Sequence, residues 1–335
     1  MAHNIVFLNG NAAFTRRAGS EPAWHKLGGE TPANAPLEVW ARNAGMQYRL
    51  DLTPALYARA DGTIDRIPDR KVVVRSDLQT ALATVSDRYK IVQPAEVLEF
   101  FRDLAYAGGY EMETAGVLSD GARYWALARS LNESGMLAGG DKIGAYLMLA
   151  TACDGSMATT ATHTSVRVVC QNTLSMALSD AGASAIEVRH TSEFDPARVK
   201  RELRVGDTFA AFMADAERLA STRMTDRDAG QTIWGLLGIK GSDGKPVPME
   251  TDQALIPSQT RTKIARIWDL FKGQAEGASL PSASGTAWGL LNAVTQYVDH
   301  EARGHSLQNR VDSSLFGRGA ALKVEARDAL IKLAA

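Results

Sequence analysis

Apolar and polar residues alternate over much of the first two hundred positions, and beyond them apolar residues recur every three to four. The first spacing is that of a half-buried strand, the second that of a helix with one buried face. Extended runs at 48–50, 56–60, 71–75, 82–92, 110–117, 123–130 and 141–153 predict strands, with Asp61-Gly62 as a tight turn and 157–169 as the partner of the last run. A short strand is expected near 5–8. Short helices are expected at 37–44 and from Pro94, where proline suits the first helical position, to Gly108-Gly109, where glycine ends it.

The helical part opens at Asp195-Pro196, an N-cap and first-turn pair, and continues through 229–237, 258–272, 285–302 and 319–333. The loop 241–248 and the Gly/Ser-rich 277–284 separate helices, and the latter reads as a flexible spacer. The predicted fold is α+β: an antiparallel sheet with packed helices and a predominantly helical C-terminal part. The expected organisation is an N-terminal arm over 1–35, a sheet-rich core over 36–194 and a helical part over 195–335 that can be continuous with the core.

Composition narrows the function classes only a little. The chain has 335 residues, 45% of them hydrophobic and 22% charged, with a formal net charge of −1. That is an ordinary globular balance, in which a nucleic-acid partner would depend on a local basic patch. No run approaches the ~20 apolar residues of a membrane span, and the start lacks a signal-peptide pattern, so a cytoplasmic protein without a membrane partner is expected. Cys153 and Cys170 are the two cysteines. With His163 between them they fall short of a closed zinc site, and no metal or cofactor is expected.

The densest chemistry lies in 151–178. Thr159, Thr160, Thr162, Thr164 and Ser165 alternate with small residues, beside His163 and Arg167. On an exposed strand such hydroxyls can donate to phosphates, whereas on a half-solvated strand threonine is simply a good strand former. The pattern turns helical near Gln171-Asn172-Thr173, where Asn172 or Thr173 can cap a helix. Arg198, Lys200, Arg201 and Arg204 form the densest basic cluster, although 163–204 as a whole holds six Lys/Arg against five Asp/Glu. A second basic segment carries Arg261, Lys263, Arg266 and Lys272 against Asp269, with Trp268 and Phe271 read as core. Trp24-His25 reads as an anchor for the arm, and Asp299-His300 as structural. Walker-A, His-Glu-x-x-His, Gly-x-Ser-x-Gly and Cys-x-x-Cys patterns are all missing from the sequence.

Arg167-Val-Val-Cys-Gln-Asn-Thr-Leu174, with Asp154-Gly155-Ser156 upstream, resembles a motif of phage/plasmid-like proteins that share a domain of unknown function. Pro22-Ala-Trp24-His25, Val85-Ser-Asp-Arg88-Tyr89-Lys-Ile91-Val-Gln-Pro94 and Trp288-Gly-Leu-Leu-Asn292 with Phe316-Gly317 are similar to further blocks of that family. Lys26 stands where its opening element is expected to have glycine. The resemblance implies a mobile-element origin and no reaction. The leading expectation is a nucleic-acid-binding protein in phage or plasmid DNA maintenance that binds single-stranded DNA or, by architectural analogy with phage annealing proteins, anneals it as a homo-oligomer. Its contacts would be Thr162, His163, Thr164 and Arg167, with Arg198, Arg201 and Arg204 as outer phosphate partners. The alternatives are an interaction protein aimed at a host or phage protein, and an enzyme built on Asp154, His163, Cys170 or His300.

Overall fold

The computed structural model describes residues 7–8, 11–12, 14–19, 29–106, 109–167, 172–175, 185–195, 197–199, 205–238, 248–249, 256–304 and 307–335. These residues show the expected α+β fold, with a mainly antiparallel sheet and a largely helical C-terminal region. They form two compact units. The first comprises 1–132, 146–163 and 181–204, and the second 133–145, 164–180 and 205–335.

Strands β1 (Phe7–Leu8) and β2 (Asn11–Ala12) form a small ladder, followed by β3 (Phe14–Arg17), β4 (Gly29–Thr31) and helix α1 (Leu37–Asn43). Next come β5 (Leu50–Ala58), β6 (Ile64–Arg75), β7 (Thr80–Ser86), α2 (Pro94–Tyr106) and β8 (Tyr110–Leu118). Strands β9 (Arg123–Leu137), β10 (Asp141–Ala152) and β11 (Thr159–Arg167) each give residues to both units. In the first unit the sheet order is β4-β3-β8-β9-β10-β11, and β13 (Ala185–Val188) pairs antiparallel with β11. The β3/β4 pair is parallel, a departure from the all-antiparallel expectation.

Helix α2 begins at Pro94 as expected, and the Glu96 carboxylate reaches back to accept from Gln93 N at 2.6 Å. Val97, Leu98, Phe100 and Phe101 are buried, joining Trp40, Met46, Tyr48, Tyr124 and Leu147 in one core. A smaller antiparallel sheet, β5-β6-β7, stands beside this core. Its Val73 and Val85 are buried, whereas much of its remaining surface meets solvent.

In the second unit β12 (Asn172–Ser175) pairs antiparallel with the end of β11, Val166 opposite Thr173 and Arg167 opposite Asn172. This corrects the helix start expected at Asn172 or Thr173. The two-residue alternation of Asn-Thr-Leu-Ser continues the hairpin, and pairing with β11 satisfies backbone groups that an isolated helical turn would leave open. The helices are α3 (Val205–Ser221), α4 (Asp226–Leu236), α5 (Ser258–Asp269), α6 (Ala287–Gln296), α7 (Leu307–Phe316) and α8 (Arg318–Leu333). Helix α7 was not anticipated.

Every residue of α6 is buried, and Thr286 caps it by accepting from Gly289 N at 3.1 Å. The segment 277–284 is not a loose spacer. Ser282 and Ala283 are buried, and a Cβ on Gly289 would lie 1.9 Å from the Ala283 carbonyl oxygen. The buried Asp141 carboxylate accepts from Ser282 Oγ at 2.7 Å and Trp288 Nε1 at 3.1 Å. After α6 a π-turn over Tyr297–Glu301 carries Asp299, which pairs with Lys323 Nζ of α8 at 2.8 Å with both side chains buried. No helix among the described residues is long and apolar enough to cross a membrane.

Candidate functional site

The threonine strand is not the solvated surface that its composition suggests. Thr162, His163 and Thr164 are 1%, 2% and 6% exposed, so both faces of this part of β11 are covered. The hydroxyls find local partners: Thr159 Oγ1 lies 2.8 Å from Thr151 Oγ1, and Thr162 Oγ1 donates to the His163 carbonyl at 3.3 Å. His163 Nε2 is buried with no hydrogen-bond partner among the described residues, and burial pushes the ring's pKa down to about 4. The imidazole is therefore neutral near pH 7 and offers no positive charge to a phosphate.

Arg167 closes β11 in register with Asn172. Arg198 is exposed, and its backbone N–H donates to Asp195 Oδ1 at 3.1 Å, the cap expected at that helix start. Arg201, Arg204, Trp24, His25, Cys170 and His305 lie outside the described residues. The structure thus groups Thr162, His163 and Thr164 in one buried run and sets Arg198 on a different element.

The other candidates are mostly committed elsewhere. Arg266 donates to Glu301 Oε1 at 2.8 Å, and Lys272 meets Asp226 Oδ1 at 2.9 Å. Arg261 and Lys263 are exposed. Phe271 is buried, as expected of a core residue. Burial drives the Cys153 thiol up to about 12, which leaves it an inert apolar side chain. Asp154 is occupied in a turn, accepting from Ser156 N at 2.9 Å. Asn292 is buried and its Nδ2 donates to the Trp288 carbonyl at 2.9 Å, a structural role within the helix.

A different place gathers unpaired charge. In the small sheet the pairing of β5 with β6 slips between Pro54↔Lys71 and Leu56↔Arg66, so Ala55 alone faces the four residues 67–70. Pro68 cannot donate to a ladder, and Asp69 takes a left-handed backbone at φ 55°, so the strand must loop out here. The loop is tied down by Asp87 N, which donates to the Asp69 carbonyl at 3.1 Å. A solvent-open cleft of about 300 Å³ results, lined by Asp69, Arg70, Ser86, Asp87 and Arg88. Among the described residues the four charged side chains make no ion pair or hydrogen bond. Lys71 Nζ donates to the Asp87 carbonyl at 3.3 Å, adding a cation nearby.

The stretch after Arg88 is an anchor. The Tyr89 ring stacks on His190 with centroids 4.6 Å apart, and its hydroxyl donates to the Ala152 carbonyl at 2.9 Å. Both His190 ring nitrogens lie against carbonyls, of Lys90 at 2.9 Å and of Met157 at 3.1 Å. Gln93 exchanges two 3.0 Å hydrogen bonds with the Leu50 backbone. Ser86, Asp87 and Arg88 are thus presented at the cleft by a strap whose other residues are held by the core. The signals in the sequence were Pro68 within a strand-like run and the block 85–94 (which carried a family resemblance but no assigned chemistry).

A sequence family described as a domain of unknown function, DUF932, matches residues 81–327. The chain belongs to that family. No curated protein and no solved structure matches it. The DUF932 segment begins within β7 and ends within α8, so it includes Ser86, Asp87 and Arg88 of the cleft, whereas Asp69 and Arg70 precede it.

Proposed function

We propose that this DUF932 protein binds single-stranded nucleic acid in the service of a phage or plasmid element, through its small exposed sheet and not through the threonine strand. The observation that supports the reading is that Arg70 and Arg88 of the cleft, and Arg66 further along β6, are exposed arginines whose side chains have no partner among the described residues. Unpaired guanidiniums on an open strand surface are free to neutralise phosphates, and counterions released from the strand then drive association. An annealing role follows the same line, with a homo-oligomer aligning several such sheets along one strand. The test is anisotropy of labelled single-stranded and duplex DNA between ~50 and ~200 mM salt, with Arg70→Glu and Arg88→Glu beside the natural protein. Affinity should fall steeply with salt and fall for every sequence in both variants. Affinity that stays flat across the series removes the reading.

A second reading, a protein-interaction role, is favoured by one feature. Beyond the bulge, the ribbon formed by β5 and β6 exposes Leu56, Tyr57 and Ile64 at 58%, 45% and 71%. Leu56 and Ile64 share one face of this hairpin and Tyr57 lies on the other, and exposed apolar side chains gathered on one face are characteristic of a contact surface. Loss of a co-purifying protein from Leu56→Ser/Ile64→Ser, with single strands left unbound by the natural protein, selects this reading.

A further inference from the structure

The cleft at the bulge carries two carboxylates as well as two guanidiniums, and a site built only for phosphate would not include them. Asp69 and Asp87 sit beside Arg70 and Arg88, and none of the four is neutralised by a neighbour among the described residues. Acidic groups repel a phosphate backbone, so their presence in a strand-binding surface calls for a ligand that also offers hydrogen-bond donors. A nucleotide does so. Its phosphate accepts from guanidinium, and the amino group of cytosine, adenine or guanine donates to a carboxylate, whereas thymine has no amino group. A volume of about 300 Å³ is at the lower end of small-ligand sites, which favours a single pyrimidine unit over a larger group.

We propose that this cleft holds one cytosine nucleotide, Arg70 and Arg88 taking the phosphate and Asp69 and Asp87 taking the base amino group. The proposal rests on the nucleic-acid reading above and adds a base preference to it. Ser86 supplies a hydroxyl at the same rim. The backbone geometry serves the site: the left-handed turn at Asp69 bends β6 outward, and the Asp87 N–H hydrogen bond to its carbonyl fixes residues 69 and 87 next to each other.

The same nucleotide chemistry reaches the cleft either within a strand or as a free monophosphate, and the experiment separates the two. Oligo(dC) and oligo(dT) of equal length are titrated at about pH 7.5 against the natural protein and against Asp69→Gly/Asp87→Ala. Glycine keeps the left-handed turn without strain, and melting curves confirm that the variant is folded. The natural protein should bind oligo(dC) about tenfold more tightly than oligo(dT). In the variant oligo(dT) should bind more tightly, because two negative charges are gone, oligo(dC) should gain less because it also loses its amino-group contacts, and the dC/dT ratio should collapse towards one. Carboxylates that merely tune the surface charge would raise both affinities and leave the ratio unchanged. That result, or equal binding of the two oligomers by the natural protein, overturns the site.

If neither oligomer binds, the strand reading fails, and dialysis against cytidine and thymidine monophosphates decides the rest. Retention of the cytidine compound alone keeps the cleft as a free-nucleotide site; retention of neither ends the proposal.

Discussion

Two polar segments of the first unit have opposite fates. Residues 159–163 at the start of β11, rich in threonine and with a histidine, are covered, and their hydroxyls bond to neighbours inside the protein. Asp69, Arg70, Asp87 and Arg88 at the bulge of the small sheet face solvent with no partner among the described residues. Both read as hydrophilic in the sequence. Hydroxyl groups can be buried cheaply because one short hydrogen bond satisfies them, whereas an unpaired charge stays where water can reach it. Residue type alone marks a polar segment; whether its groups find partners inside the fold decides if it remains available for a ligand.

The largest test of that rule concerns a charge that is buried and paired. Lys323→Ala removes the ion pair from the buried Asp299 carboxylate and should cost about 3–5 kcal/mol in urea unfolding, enough to lower the melting temperature substantially. Replacing both partners, as Asp299→Leu/Lys323→Met, should recover much of the loss, because no charge is then stranded. A double variant as weak as the single one would show that the pair contributes more than relief of mutual desolvation.

The next test concerns His163, whose folded-state pKa of about 4 lies below the ordinary histidine value. The unfolded chain takes up a proton as pH falls through ~6.5, and the folded chain resists until about 4, so unfolding gains protons in that window. Stability is therefore full above ~6.5 and declines by roughly 3 kcal/mol as pH falls to about 4. His163→Phe should remove this component, and the difference between the two proteins' stability-against-pH curves isolates it from the carboxylates. Parallel curves would mean that the ring is not the buried neutral group described.

How much of this was legible follows from the same distinction. Helix α2, the Asp61-Gly62 turn and the strand run through β8, β9 and β10 were readable because proline, glycine and the two-residue period act locally. The helix expected at Asn172 became β12 because an available neighbour strand outweighed a plausible cap. The spacer expected at 277–284 is ordered because Asp141, remote in sequence, accepts from Ser282. The cleft was illegible as a site: its two sides come from 69–70 and 86–88, and only the register slip in β6 and the pairing of Arg70 with Ser86 bring them together. No local pattern encodes that meeting, although Pro68 marks where the strand must break.

A smaller effect is expected at Asp69. Its left-handed backbone suits aspartate, asparagine and glycine and penalises a β-branched residue, so Asp69→Val should cost about 1–2 kcal/mol while Asp69→Asn stays near neutral. Equal melting temperatures for the two would show that the turn relaxes and is not held by the Asp87 hydrogen bond.

The smallest effect completes the comparison. Arg88→Ala should change unfolding stability by no more than about 0.5 kcal/mol, because the side chain is exposed and makes no hydrogen bond or ion pair among the described residues. The same substitution should weaken single-strand binding and reduce the salt slope by about 0.7, the contribution of one phosphate contact on a single strand. Such a split, stability unmoved and binding reduced, separates a group kept for a ligand from one kept for the fold. A substantial loss of stability at Arg88 would place it with the anchoring residues Tyr89 and Gln93, and the cleft would then be a by-product of the strap that carries it.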